Sequence, residues 1–313
     1  MLSNMVFSLN ATFPIFLMMV VGWALKKIKM LDGPSTKVIN KIVFRVFLPA
    51  LLFNDLQEQD FAAIWDNRFV LFCAVATIFS IIIASFISLV CKDKSERGEF
   101  IQASFRSAAA TLGIAFMTNV YDNVAMVALM IIGTVPIYNV VSVILLSITA
   151  PGERRGNLLG QTLKNLATNP IILSIIAGLL WSLLKLPMPV ILGKSITYLG
   201  NVASPLALIG LGASFEFAEL KERIAPIIII NFNKLVLFCM IFLPLGIKMG
   251  FRDEKVVSAL IMLGSATTSS SFIMAQNMGH KGAISSGAVM TTTLFSSFTM
   301  TIWLFILKTF GYI

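Results

Sequence analysis

Ala11-Thr12-Phe13-Pro14-Ile15-Phe16-Leu17, followed by Gly22, returns later in the chain as Ala167-Thr168-Asn169-Pro170-Ile171-Ile172-Leu173, followed by Gly178. Both pairs are 156 positions apart (170 − 14 and 178 − 22), and Pro49 pairs with Pro205 at the same offset. Proline and glycine are scarce here, 11 and 20 of 313 residues, so three markers in one register point to an internal repeat. Chance likeness between apolar helices is the competing explanation. The offset is nearly half the length, which divides the chain into Met1–Ala150 and Pro151–Ile313.

What each half contains follows from composition. Residues are 57% hydrophobic and 12% charged, against about 45–50% and 25% in soluble domains. A soluble domain of this size could not bury so much apolar side chain. This excludes a secreted domain, a nucleic-acid-binding domain and a disordered chain, and leaves an integral membrane protein in a lipid bilayer. Charge-free runs cover Met1–Leu25, Phe69–Cys91, Asn123–Gly152, Asn165–Leu184, Ser195–Phe215, Val256–Gly279 and Gly282–Leu307. Each reaches the roughly 20 residues that cross about 30 Å of hydrocarbon. Ser35–Leu56, Ile101–Val120 and Pro226–Gly250 are apolar stretches that carry charges, and they bring the expected count to ten spans. Unbroken apolar runs argue against a barrel. The expected fold is an all-α membrane protein of ten transmembrane helices. Five spans per half force the second copy to insert upside down, and such inverted repeats mark secondary transporters with a midplane site.

The net charge of +9 is read as topology. Fourteen of the 24 Lys and Arg fall in the loops after spans 1, 3, 5, 7 and 9, and seven on the other side. The positive-inside rule then makes the chain a multi-pass protein of the cytoplasmic membrane with both termini outside the cytoplasm. The acidic Asp55–Asp66 segment is expected to be an outward loop. No nucleic-acid partner is implied. No cleavable signal is evident, because the first run is too long and lacks preceding basic residues. Cys73, Cys91 and Cys239 have no metal-ligand spacing and read as reduced structural thiols. His280, the only histidine, is expected to be a solvated loop imidazole, with a proton relay as the minor reading. No phosphate-binding loop follows a strand, so neither an enzyme nor a cofactor is expected, and a gradient or the membrane potential must drive transport.

Polarity locates the candidate site. The fourth span, Ile101-Gln102-Ala103-Ser104-Phe105-Arg106-Ser107-Ala108-Ala109-Ala110-Thr111-Leu112-Gly113-Ile114-Ala115, and the ninth, Leu263-Gly264-Ser265-Ala266-Thr267-Thr268-Ser269-Ser270-Ser271-Phe272, are rich in small and hydroxyl residues. Six hydroxyls between Ser265 and Ser271 are costly against lipid and belong against protein or a watery cavity. A pair of crossing, interrupted helices is expected, with close packing of continuous helices as the alternative. Arg45, Arg106 and Lys234 are placed within spans, and no Asp or Glu is. An anion is then the natural counter-charge for Arg106 and Lys234. Lys37, Lys41 and Arg45 form an i, i+4 stripe that reads as snorkelling to headgroups.

These residues resemble the auxin efflux carrier family, within the bile acid/arsenite/auxin transporter superfamily. The matching segments are Asn40-Lys41-Ile42-Val43-Phe44 running into Phe47-Leu48-Pro49-Ala50-Leu51-Leu52-Phe53, then Asn169-Pro170, and Ser204-Pro205-Leu206-Ala207-Leu208-Ile209-Gly210-Leu211-Gly212. Ala275-Gln276 and Thr293-Leu294-Phe295-Ser296-Ser297 extend the match. The resemblance implies a 5+5 inverted repeat with crossing helices 4 and 9, a carboxylate bound at their crossover, and a homodimer. The chain departs from the pattern there. Ala115 and Ala266 stand where a proline is expected in each crossing helix, and Ala108-Ala109 replaces an asparagine pair, so the breaks rest on Gly113 and Gly264. The candidate substrate-binding residues are Arg106, Thr111, Gly113, Ala115, Lys234, Gly264, Ala266, Thr267 and Ser270. The leading expectation is a secondary transporter of small organic anions, such as malonate, malate or an auxin-like acid. A transporter-derived ligand sensor and a channel are the alternatives.

Overall fold

A computed structural model describes residues 14, 17–57, 66–109, 117, 121, 125–151, 160, 164, 167–215 and 222–313. All regular elements among the described residues are helices, with no strand. Helix α1, Gly33–Ile42, passes through a π-turn at Val43–Phe47 into α2, Leu48–Gln57. There follow α3 (Asn67–Ile87), α4 (Arg97–Phe105), α5 (Ala125–Thr149), α6 (Pro170–Leu183) and α7 (Val190–Ser214). Next, α8 (Ile224–Phe232) runs through a second π-turn, Asn233–Leu237, into α9 (Phe238–Lys248). The chain closes with α10 (Glu254–Gly264), α11 (Ser270–Asn277) and α12 (Ala283–Thr309).

Local chemistry sets these ends. Asp32 and Asn169 cap α1 and α6 by accepting the amides of Ser35 and Ile171, each with a proline in the first turn, where its missing N–H costs nothing. Asp66 caps α3 and also pairs with Lys255 at 2.6 Å, tying α3 to α10. The hydrogen bond from the Lys255 ammonium holds the Asp66 carboxyl below the usual carboxylate range. A carboxyl that is more acidic in the folded state stabilises the fold at neutral pH and loses that contribution as pH falls through its own range. Asp66→Asn keeps the cap and removes the charge. It should lower stability at pH 7 by about 0.5 kcal/mol, and the gap should close in acid; unfolding followed at both pH values checks this.

Among the described residues, five helices are long and apolar enough to cross a membrane: Asn67–Val90, Met126–Thr149, Val190–Ser214, Ile224–Lys248 and Ala283–Thr309. On α3 the exposed face is Leu71, Val75, Ile78, Phe79, Ile82 and Phe86, while Thr77 and Ser80 are buried. A water-soluble helix shows the reverse, so this face meets hydrocarbon. The bundle is held by close approaches. A Cβ on Gly22 would run into the carbonyl of Ile209, and one on Gly178 would press on that of Phe53. Gly22→Val should therefore cost about 1–3 kcal/mol, read as a lower melting temperature in detergent.

Two helices stop inside the bundle. Helix α4 ends at Phe105 and Arg106 is extended; α10 ends at Gly264 and Ser265 is extended. The two breaks satisfy each other: Ser107 bridges Thr267 in antiparallel fashion, and the Ala108 amide donates to the Ala266 carbonyl at 2.8 Å. Thr267 donates through Oγ1 to the Ala103 carbonyl, its amide donates to Thr292 Oγ1, and Gln102 donates to the Ser271 carbonyl. Unwound backbone at membrane depth has no water to bond, so each freed group needs such a partner.

Two expectations need correction. Carboxylates do lie within helices of the bundle: Asp55 is on α2, not in an outward loop, and Glu99 in the first turn of α4 is 2% exposed. His280 is not solvated but 6% exposed, with Nδ1 3.1 Å from the Ser95 carbonyl and Nε2 2.9 Å from that of Leu146. In both cases the partners come from segments distant in sequence.

Candidate functional site

The interruption leaves Arg106 at the end of α4 with its side chain 3% exposed in a narrow cavity of about 60 Å³. One terminal nitrogen donates to Asn139 Oδ1 at 3.1 Å and to Ser270 Oγ at 2.8 Å; the other donates to Met274 Sδ at 2.6 Å. Its Nε is buried with no hydrogen-bond partner. A guanidinium has five N–H donors, and these acceptors are all neutral. The polar wall is completed by Asp55, Ser107, Tyr138, Ser204 and Thr268, and the apolar wall by Leu48, Leu51, Leu52, Val135 and Ile171. A largely apolar concavity with a few convergent polar groups and one buried cation suits a small anion.

A second cavity of about 830 Å³ lies next to the first along two helices. Its lining includes Phe44 and Arg45, one turn before Leu48, and Asn169 and Pro170, just before Ile171, with Ser147 and Asn277. Arg45 thus sits in a π-turn facing a polar cavity, and Lys234 sits in the other π-turn. Insertions of this kind recur at functional sites.

Lys234 is fully buried and lies behind the cavity. Its ammonium donates to the carbonyls of Phe105 and Met262, each at 3.2 Å, and to Ser107 Oγ. Gly264, Ala266 and Thr267 are buried in the same paired break, and a Cβ on Gly264 would strike Cys239 Sγ. Of the candidate residues, then, Arg106 and Ser270 line the cavity, while Lys234, Gly264, Ala266 and Thr267 build the wall behind it. Thr111, Gly113 and Ala115 lie outside the described residues. Across the break, Ala266 faces Ala108.

Sequence reasoning missed Asn139, Tyr138, Ser204 and Asp55. Asn139 had a signal, being the sole carboxamide in the 25 residues of α5. A lone amide in hydrocarbon is expensive without a partner. Serine in a transmembrane helix carries no such signal, because it can bond its own helix, as Ser80 does to the Ala76 carbonyl.

Comparison with known proteins gives this arrangement its context. The family described as membrane transport protein matches residues 7–304. The chain belongs to that family. The auxin efflux carriers belong to it as well, so the expected resemblance holds over nearly the whole length. Two relatives are similar end to end. One, from Rhizobium meliloti (strain 1021), is provisionally named a malonate transporter; it is 23% identical over 310 residues, covering 94% of each chain. The other is an uncharacterized transporter of Methanothermobacter thermautotrophicus (strain Delta H), 20% identical over 301 residues, covering 95% of this chain and 97% of its own. This family member is a multi-pass membrane protein whose relatives carry transporter names.

Proposed function

We propose that the protein is a secondary transporter that moves small organic anions across the cytoplasmic membrane by alternating access at the paired break of α4 and α10–α11. The observation that carries this reading is Arg106: a buried cation with neutral acceptors and an unpartnered Nε, aimed into a cavity between interrupted helices. The name of the Rhizobium relative favours a dicarboxylate such as malonate. Ser270 completes the site, Lys234, Gly264, Ala266 and Thr267 hold its backbone, and Thr111, Gly113 and Ala115 are the remaining candidates for contact with the substrate.

The ten-helix, 5+5 inverted architecture, with halves 1–150 and 151–313, belongs to the same reading. Element starts support it: 33 and 190, 67 and 224, and 97 and 254 each differ by 157. Packing supports it too. Gly22 meets Ile209 as Gly178 meets Phe53, and both members are displaced by 156 (178 − 22 and 209 − 53). A two-fold exchange of equivalent elements produces such reciprocal contacts. With the basic loops inside and both termini outside, the 830 Å³ cavity opens at the cytoplasmic end, where Arg45 attracts an anion toward Arg106. Export of a monoanion gains roughly 2.3 kcal/mol per 100 mV.

Purified protein in proteoliposomes tests this reading with labelled malonate. Saturable uptake that responds to an imposed potential is expected. An ohmic current would assign a channel instead, and binding without flux a sensor.

A further inference from the structure

Lys234 holds the backbone of the proposed site, and the transport reading leaves open why a cation does so. The last turn of a helix leaves carbonyls without partners, and helix C-termini carry partial negative charge. Two such ends, those of α4 and α10, converge inside the bundle. Lys234 places its nitrogen between Phe105 O, the terminal carbonyl of α4, and Met262 O, in the last turn of α10, with Ser107 Oγ as third acceptor. Three acceptors match the three N–H donors of an ammonium. Ser107 in turn donates to the Met262 carbonyl, so the hydroxyl is committed. The backbone presenting Lys234 is also fixed, because Trp303 Nε1 donates to the Leu235 carbonyl at 3.0 Å within the π-turn. A cage of carbonyl and hydroxyl oxygens at the ends of interrupted helices is what sodium seeks in a discontinuous-helix carrier.

We infer that the Lys234 ammonium is a tethered cation occupying a built cation site, so this protein needs no sodium to assemble its paired helix break. Lys234 is a positioning residue: it acts on substrate through the backbone that carries Arg106 and Ser107. The consequence for coupling rests on the transport reading, but the site itself does not, and its test reads stability without any substrate.

The experiment compares thermal unfolding of the detergent-purified protein, Lys234→Ala and Lys234→Met in sodium chloride, methylammonium chloride and choline chloride at equal ionic strength. The natural protein should melt at the same temperature in all three salts. Lys234→Ala should melt lower in choline and recover in sodium or methylammonium, by roughly 2–4 °C per tenfold rise in cation above its dissociation constant. Lys234→Met, which fills the site with an apolar chain, should not recover. Stabilisation of the natural protein by sodium overturns the inference, and does so even if neither variant folds. Equal melting of Lys234→Ala in all salts also overturns it. Absence of malonate uptake with this salt pattern intact would instead remove the transport reading alone.

Discussion

Arg106→Gln is expected to abolish substrate binding and flux while the protein still folds. Losing one member of a buried, charge-assisted pair costs about 2–5 kcal/mol, so affinity should fall by roughly 30-fold to several thousandfold. The free protein should not suffer in proportion. Its guanidinium is 3% exposed, bonds to neutral acceptors and leaves Nε unsatisfied, an arrangement that costs desolvation energy. A melting temperature unchanged or raised, together with lost binding, marks a group kept for function at the expense of stability. Unchanged malonate uptake would take Arg106 off the pathway, and a protein that no longer folds would make it structural. Ser270→Leu is the companion: it fills the cavity beside Arg106 and removes one acceptor of the guanidinium while leaving the charge in place.

Glu99→Ala should produce the largest loss of stability in the chain. The Glu99 carboxylate accepts the amides of Gly282 at 2.9 Å and Ser285 at 3.1 Å, capping α12 from another helix. Gly282 is the residue before α12, and its φ of 80 places it in the left-handed region. Negative charge at a helix N-terminus is favourable, the more so when water is excluded. Alanine leaves two buried N–H groups without partners, a cost on the order of 3–5 kcal/mol. Glu99→Gln retains an acceptor oxygen and should lose less. A loss below about 1 kcal/mol for the alanine variant, measured by denaturant or thermal unfolding, would mean that water or a neighbour replaces the cap.

Several features of this architecture were legible because they are written in sequential or periodic order. Hydrophobic run length follows the thickness of hydrocarbon, so the membrane class could be read directly. The hydroxyl-rich Ser265–Ser271 stretch was readable for the same reason: six hydroxyls cannot face lipid, and Thr268 and Ser270 do line the cavity. Glu99 was not readable. It follows Lys92, Asp93, Lys94, Glu96 and Arg97, a run that looks solvated, and its amide partners lie more than 180 residues away. His280 fails the same way, since its ring meets Leu146 across 134 positions.

By itself, then, the sequence determined that this chain is a membrane protein, which family it resembles, where its register markers fall and which intramembrane cations are unusual. Those properties depend on composition and on spacing along one chain. Only the tertiary structure decided what the cations do. It turned Arg106 toward a cavity and Lys234 toward two helix ends, and it set Gly22 against Ile209 and Gly178 against Phe53. Hydrogen-bond partners and close backbone approaches are set by which helices meet, and several pairs that meet here, α2 with α6 and α2 with α7 among them, are separated by a hundred residues or more.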